Sequence, residues 1–199
     1  MQFIVKVSFM ARTKTFDENA VLDKAVHLFW EKGFLATSAE DLVNTLGICR
    51  ASLYDTYGNK RELFIKSLKK YIEEESEPLI SFLLTSDDAK KSIAKVFNDI
   101  IVADNVKHGC LVVNASVEFS GQDLEIQSLI KNNNDKIIKA LGAVIKKSHA
   151  NGKMSNKANA GNIAHYIYNN IIGLRVNVKT GTPHKELKNI IEITLSVLD

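Results

Sequence analysis

Between Thr37 and Phe64 the sequence TSAEDLVNTLGICRASLYDTYGNKRELF leaves room for two short helices, a sharp turn and the opening of a third helix. Ala39, Leu42, Val43 and Leu46 recur at helical spacing, so the first short helix has one apolar stripe to bury. Its start is marked by a capping box, either Thr37 with Glu40 or Ser38 with Asp41, and Gly47 breaks it. After the turn Ile48 and Leu53 are expected to pack inward, leaving Arg50, Ala51, Ser52, Tyr54 and Tyr57 outward. Asn59 with Glu62 repeats the capping pattern, so a longer helix opens at about Lys60. Two short helices joined by a glycine-containing turn match the unit that presents a helix to DNA, although periodicity alone fits an ordinary helical hairpin equally well.

Upstream, Leu22, Ala25, Val26 and Phe29 form another amphipathic stripe ending at Gly33, which supplies the packing partner a helix-turn-helix needs. With it, the segment resembles the head of the TetR family of one-component bacterial repressors. In those heads a helix ends in Gly-aromatic, Thr follows, and a segment of the form LYxxFxxKxxLF comes after the turn. The matching residues are Gly33-Phe34, Thr37, Leu53-Tyr54, Tyr57, Lys60, Leu63 and Phe64, within a stretch from Asp17 to Phe64 that makes up about a quarter of the chain. Cys49 departs from the pattern, because the family often has Ser or Thr there and a thiol caps more weakly than a hydroxyl. The resemblance implies phosphate contacts from Thr37, Tyr54, Tyr57 and Lys60, and base-edge contacts from Arg50, Ala51 and Ser52. For Arg50, bidentate donation to guanine and simple phosphate contact are both open.

Composition favours helix throughout: of 199 residues, 45% are hydrophobic and two are Pro. No apolar run approaches the roughly 18 residues that span a membrane. Two distant cysteines imply no disulfide framework, so a reducing cytoplasm is the expected location. The opening MQFIVKVSFM lacks the charged region and cleavage site of a signal peptide. Met10-Ala11-Arg12-Thr13-Lys14 has the form of a basic lead-in, which makes Met10 a candidate start in place of Met1; intact mass decides between them. Residues 1–70 hold 11 Lys and Arg against 8 Asp and Glu, whereas residues 71–199 hold 15 of each. The whole net charge of +3 therefore falls on the head, a weak pointer to phosphate contact.

Beyond the head, Glu77-Pro78 is expected to end or kink the helix from Lys60. A helix over about residues 87–104 carries Ile93, Val96, Phe97, Ile100 and Ile101 on one stripe. CLVVNASVEFSG, almost wholly apolar until Glu118, reads as buried on most sides. A long helix over about 123–150 ends at Asn151-Gly152, and two more span about 156–179 and 183–198, with Thr182 as cap and Pro183 in the first helical position. The expected fold class is all-α: an N-terminal arm and three-helix DNA-binding head over residues 1–64, and a helical effector-binding and dimerisation bundle over 65–199.

The resemblance also implies that the last two helices pair with those of a second subunit. Ile163, Ile167, Ile171 and Leu174 on one, with Ile190, Thr194 and Val197 on the other, are the candidate interface residues; the alternative is a monomer that uses them to close its own core. Such a homodimer would read a pseudo-palindromic double-stranded operator and release it when an unknown small-molecule or reactive effector binds. Candidate pocket residues are Asn114, Glu118, His165, Tyr168 and Asn169, with Phe82, Phe97 and Phe119 as walls, each also explicable as a core, interface or surface group. Gly109-Cys110-Leu111 resembles a segment of TetR-like regulators among which some respond to oxidants or electrophiles through cysteine. Lys107, His108 and a nearby helix start would favour a reactive Cys110 thiol, whereas the following Leu-Val-Val favours a buried structural one. No catalytic residue, metal site or cofactor is expected: HExxH, CxxC, GxSxG and glycine-rich phosphate loops are absent, and the five His are scattered. A helical enzyme, or a protein-recruiting scaffold with a non-specific DNA-binding head, is the competing reading.

Overall fold

Asp17 starts α1 (Glu18–Lys32) by accepting the amides of Asn19 and Ala20 at 2.8 and 3.3 Å. The computed structural model describes residues 16–102, 108–121 and 123–199, which contain helices and turns and no strand. The Met1 and Met10 starts, Arg12, Lys14 and Lys107 lie outside the described residues. Of the two capping boxes open to α2 (Ala39–Leu46), the chain uses Ser38 with Asp41: the Ser38 amide donates to Asp41 Oδ2 at 2.8 Å and the Asp41 amide to Ser38 Oγ at 3.0 Å. Lys32 and Ser38, hydrogen-bonded to Asp41, hold its carboxyl well below the usual range. Gly47 closes α2 at a φ of 71°, which costs other residues strain.

Cys49 precedes α3 (Arg50–Tyr57) without a side-chain cap bond, as the weak capping power of a thiol leads one to expect. Asn59 caps α4 (Lys60–Tyr71) through the Glu62 amide at 3.0 Å. The helical path runs on past Pro78 rather than ending at it. One π turn, Ile72–Ser76, joins α4 to α5 (Glu77–Thr85), because proline has no amide to offer one turn back and its ring crowds the carbonyl there.

α6 (Ala89–Val102), α7 (Leu111–Glu118), α8 (Leu124–Ala150), α9 (Ala160–Lys179) and α10 (His184–Leu195) complete the described helices, with a 3₁₀ turn at Ser196–Leu198. α9 opens later than expected because Asn159, accepting the Gly161 and Asn162 amides, caps it. Pro183 is the residue before α10 rather than its first helical position, and its carbonyl takes the amides of Glu186 and Leu187.

Two cores organise these helices. In the first, α1 to α4 pack around Phe29, Leu42, Leu53 and Phe64, joined by Leu111, Val112 and Ala115 of α7, Phe119 and the start of α8. Phe34, Phe64 and Phe119 form its aromatic centre, with ring centroids 4.8–5.2 Å apart. The head is thus wedged against α7. The second core gathers α5, α6, the later part of α8, α9 and α10 around Leu83, Ile93, Phe97, Leu141, Val144 and Ile167.

Candidate DNA-reading face and interior cavity

The first turn of α3 leaves Arg50 and Ala51 exposed and Ser52 half-buried, with Ser52 Oγ 3.2 Å from Cys49 Sγ. The Arg50 guanidinium lies 5.7 Å from the centroid of Tyr54, one helical turn on, and Tyr54 is half-buried. Lys60, also half-buried, holds its ammonium 4.3 Å from the Phe34 ring centroid. Desolvation lowers its pKa, against the opposing pull of the Glu118 and Asp41 carboxylates.

Two expected phosphate ligands point the other way. Thr37 is 1% exposed and donates its hydroxyl to the Gly33 carbonyl at 2.6 Å. Tyr57 is 4% exposed, and its hydroxyl donates to the Glu18 carbonyl at 2.7 Å. Burial, with the Glu18 and Asp17 carboxylates nearby, raises its pKa to about 12. Both residues join α1 to the two short helices, so their place in the motif is structural. The charge excess is also relocated: Lys6, Arg12 and Lys14 account for it, and residues 16–70 carry 8 charges of each sign.

A cavity of about 420 Å³ that opens to solvent past exposed Glu75, Lys95 and Asp99 is lined further by Trp30 of α1, Tyr71 at the π turn, Pro78, Leu79 and Phe82 of α5, Val96 and Ile100 of α6, Gly109, and Arg175 and Val178 of α9. A smaller space of about 30 Å³ adjoins it, sharing Tyr71, Glu75, Leu79 and Arg175 and adding Cys110, Asn133 and Tyr168. Cys110 is buried beside Tyr71 and Arg175. Burial first, and the thiol second, push the Tyr71 and Tyr168 hydroxyls above their ordinary pKa. Trp30 Nε1 donates to the Gly109 carbonyl at 3.2 Å, which ties the head to the segment before α7.

Of the expected pocket residues, Phe82 lines the main cavity, and Cys110 and Tyr168 line the smaller one. The others are engaged elsewhere. Phe97 is in the second core. Asn114 spends its side chain on the His108 carbonyl and Lys179, both at 3.1 Å, and His165 and Asn169 are exposed. Phe119 belongs to the aromatic centre of the first core and, with Tyr168, also lines a separate open hollow of about 440 Å³ beside α8. Glu118 accepts the Phe34 amide at 2.7 Å, fastening α7 to the end of α1. Gly33 is required there on two counts: its φ is 81°, and a Cβ would meet Glu118 Oε1 at 2.2 Å. Sequence reasoning missed Trp30, Tyr71, Glu75 and Arg175. Arg175 was legible, since it continues the apolar stripe of Ile171 and Val178 at intervals of four and three.

Most of the expected dimer-interface residues are used within their own subunit. Ile163, Ile167, Ile171 and Leu174 are buried in the second core of their own subunit, with Val197 packed against it. Thr194 is buried and bonds to the Ile190 carbonyl and Asn170, and Ile190 is half-buried. The faces left open carry Tyr166, Gly173 and Val176 on α9 and Ile193 on α10. Among the described residues no group of His, Cys, Asp and Glu could hold a metal ion, and no helix is long and apolar enough to cross a membrane.

Comparison with known proteins agrees with this arrangement. Residues 21–66 match the model for bacterial regulatory proteins of the tetR family. The chain is 29% identical to the uncharacterized HTH-type transcriptional regulator YezE of Bacillus subtilis, over 96% of this chain and all of YezE. It is 27% identical to the HTH-type transcriptional repressor ComR of Escherichia coli, over 92% of this chain and 90% of ComR. Its fold superposes on a cysteine-substituted form of the TetR family regulator CifR, solved with 26-base-pair operator DNA, with a TM-score of 0.83 at 21% identity, covering 95% of this chain and all of that one. From the helix-turn-helix head, the bundle behind it and these matches together, residues 21–66 are a head of the tetR type, and the whole chain is similar in sequence and fold to regulators of that kind.

Proposed function

We propose that the protein is a ligand-responsive transcriptional repressor that binds a pseudo-palindromic operator as a homodimer and releases it when an effector occupies the interior cavity. The observation that carries this reading is the exposed first turn of α3, where Arg50 and Ala51 reach solvent on a helix held rigidly by a buried head. Arg50, Ala51 and Ser52 meet base edges in the major groove, while Tyr54 and Lys60 flank them toward the phosphates. The name of ComR as a repressor and the CifR–operator complex support the DNA partner and the sense of regulation.

Residues 1–64 act as the reading head and 65–199 as the responding body. Subunits pair through the open faces of α9 and α10, where Tyr166, Val176 and Ile193 are 41%, 45% and 69% exposed, and exposed Gly173 lets helices approach. Two heads on one face of the duplex then stand about 34–36 Å apart, or a multiple of it. Effector entry, by binding or by reaction at Cys110, shifts α4 and Trp30 and so the spacing of the heads. Relatives named as regulators, together with cavity residues that form no motif of acid, base or nucleophile, favour a non-enzymatic role, and the cytoplasm is where such a protein works.

Selection from a randomised duplex pool, with affinity followed against salt, tests the reading. A two-fold-symmetric site is expected. Salt-steep binding with no preferred sequence would reduce the head to a general phosphate binder and sink the repressor reading.

A further inference from the structure

We propose that the 420 Å³ cavity is built for an apolar molecule bearing one carboxylate, with the anion at Arg175 and Tyr71 and the apolar body against Trp30, Leu79, Phe82 and Ile100. This rests on reading the cavity as the effector site. Its volume falls within the range of small-molecule sites, and its walls are mainly aromatic and aliphatic.

The charges inside it are unevenly satisfied. At one side Lys95 and Asp99 pair with each other at 2.8 Å, both well exposed, so they cancel. Arg175 comes from the apolar stripe of α9 into the walls of both the main and the smaller cavity, and among the described residues it forms no ion pair. The Tyr71 hydroxyl beside it is shielded, on a residue 2% exposed, and has no hydrogen-bond partner at good geometry. Arg175 feels the Glu75 carboxylate without forming an ion pair with it and stands beside the Tyr71 hydroxyl, so guanidinium and phenol both keep donor capacity that a carboxylate can take up. A carboxylate supplies acceptors for the two at once, and charge-assisted bonds of this kind are the strong ones. The exposed Glu75 carboxylate also lines the cavity and acts electrostatically on Arg175, so it weakens the hold on any anion and disfavours a dianion most.

Calorimetry on the full-length protein with para-butylbenzoate and its uncharged analogue para-butylbenzamide tests this, with the emission of Trp30, the only tryptophan of the chain, as a reporter from the cavity wall. The acid should bind about tenfold or more tighter than the amide. Arg175→Gln should erase that preference and leave amide affinity within about twofold, which also shows that the variant is folded; Arg175→Lys should restore part of it, and Tyr71→Phe should lower acid affinity alone. Equal binding of acid and amide, no binding of either, or a preference that survives Arg175→Gln overturns the proposal. Operator occupancy followed in the same samples separates the two readings. A preference for the acid with no loss of operator binding keeps the site and defeats ligand-driven release, whereas failure to select any operator defeats the repressor reading whatever calorimetry gives.

Discussion

Arg50 is the side chain on which sequence readout turns, being exposed at the start of α3 and held over Tyr54 rather than by any carboxylate in the described residues. Arg50→Ala should relax preference at one base position in each half-site and cost about 1–3 kcal/mol on the selected operator. Repeating the duplex selection with the variant checks this; a uniform loss over all sequences, with the salt slope reduced by about 1, would make Arg50 a phosphate contact instead. The motif marked out the neighbouring positions, and their orientation was only partly legible. Tyr57 lies four residues after Leu53, so periodicity already put its ring on the buried face, and the resemblance overrode that signal. Nothing in the sequence showed Thr37 turning back to the Gly33 carbonyl, or Glu118 reaching Phe34 across 84 positions of chain. Such bonds depend on how helices dock.

Helix boundaries were more legible, because caps are local chemistry: Ser38, Asn59 and Asp123 each act where the sequence marked a start. Asp123 does more than cap. Besides accepting the Glu125 and Ile126 amides, it takes Arg61 Nε at 2.5 Å, so the start of α4 is pinned to the start of α8. Arg61 lowers the Asp123 pKa from 3.8 to about 2. A carboxylate depressed in the folded state stabilises fully above its unfolded pKa, and that contribution disappears as pH falls through about 2. Asp123→Asn keeps a capping oxygen and loses the charge; with Arg61 partly exposed, it should cost about 0.5–1 kcal/mol at neutral pH. Urea midpoints of the two proteins should converge on acidification from about pH 5 toward pH 2, and a constant gap would mean that the ion pair adds nothing. The π turn was not legible as such. Pro78 announced a disturbance, but whether a helix stops or takes in an extra residue depends on the packing of α5 against α8.

At the scale of the molecule, apolar stripes on α9 and α10 were evident, but not which of them a subunit keeps for itself. Periodicity gives the same signal for a buried core and for an interface, and the strongest stripe, Ile163 to Leu174, went to the core. The pairing proposed for the opposite faces predicts that Ile193→Glu shifts the protein from dimer to a species of 22.1 kDa in sedimentation, while the subunit's own unfolding moves by less than about 0.5 kcal/mol. A wild-type protein that already sediments at 22.1 kDa would remove the dimer. Trp30 carries a last consequence. It belongs to α1 of the head, yet it forms part of the cavity wall and bonds to Gly109. Effector and operator therefore compete for the position of one indole, and linkage makes that competition reciprocal: whatever factor the effector takes from operator affinity, bound operator must take from effector affinity. Protein standing on DNA would then be half-saturated only at a higher effector concentration than protein free in solution.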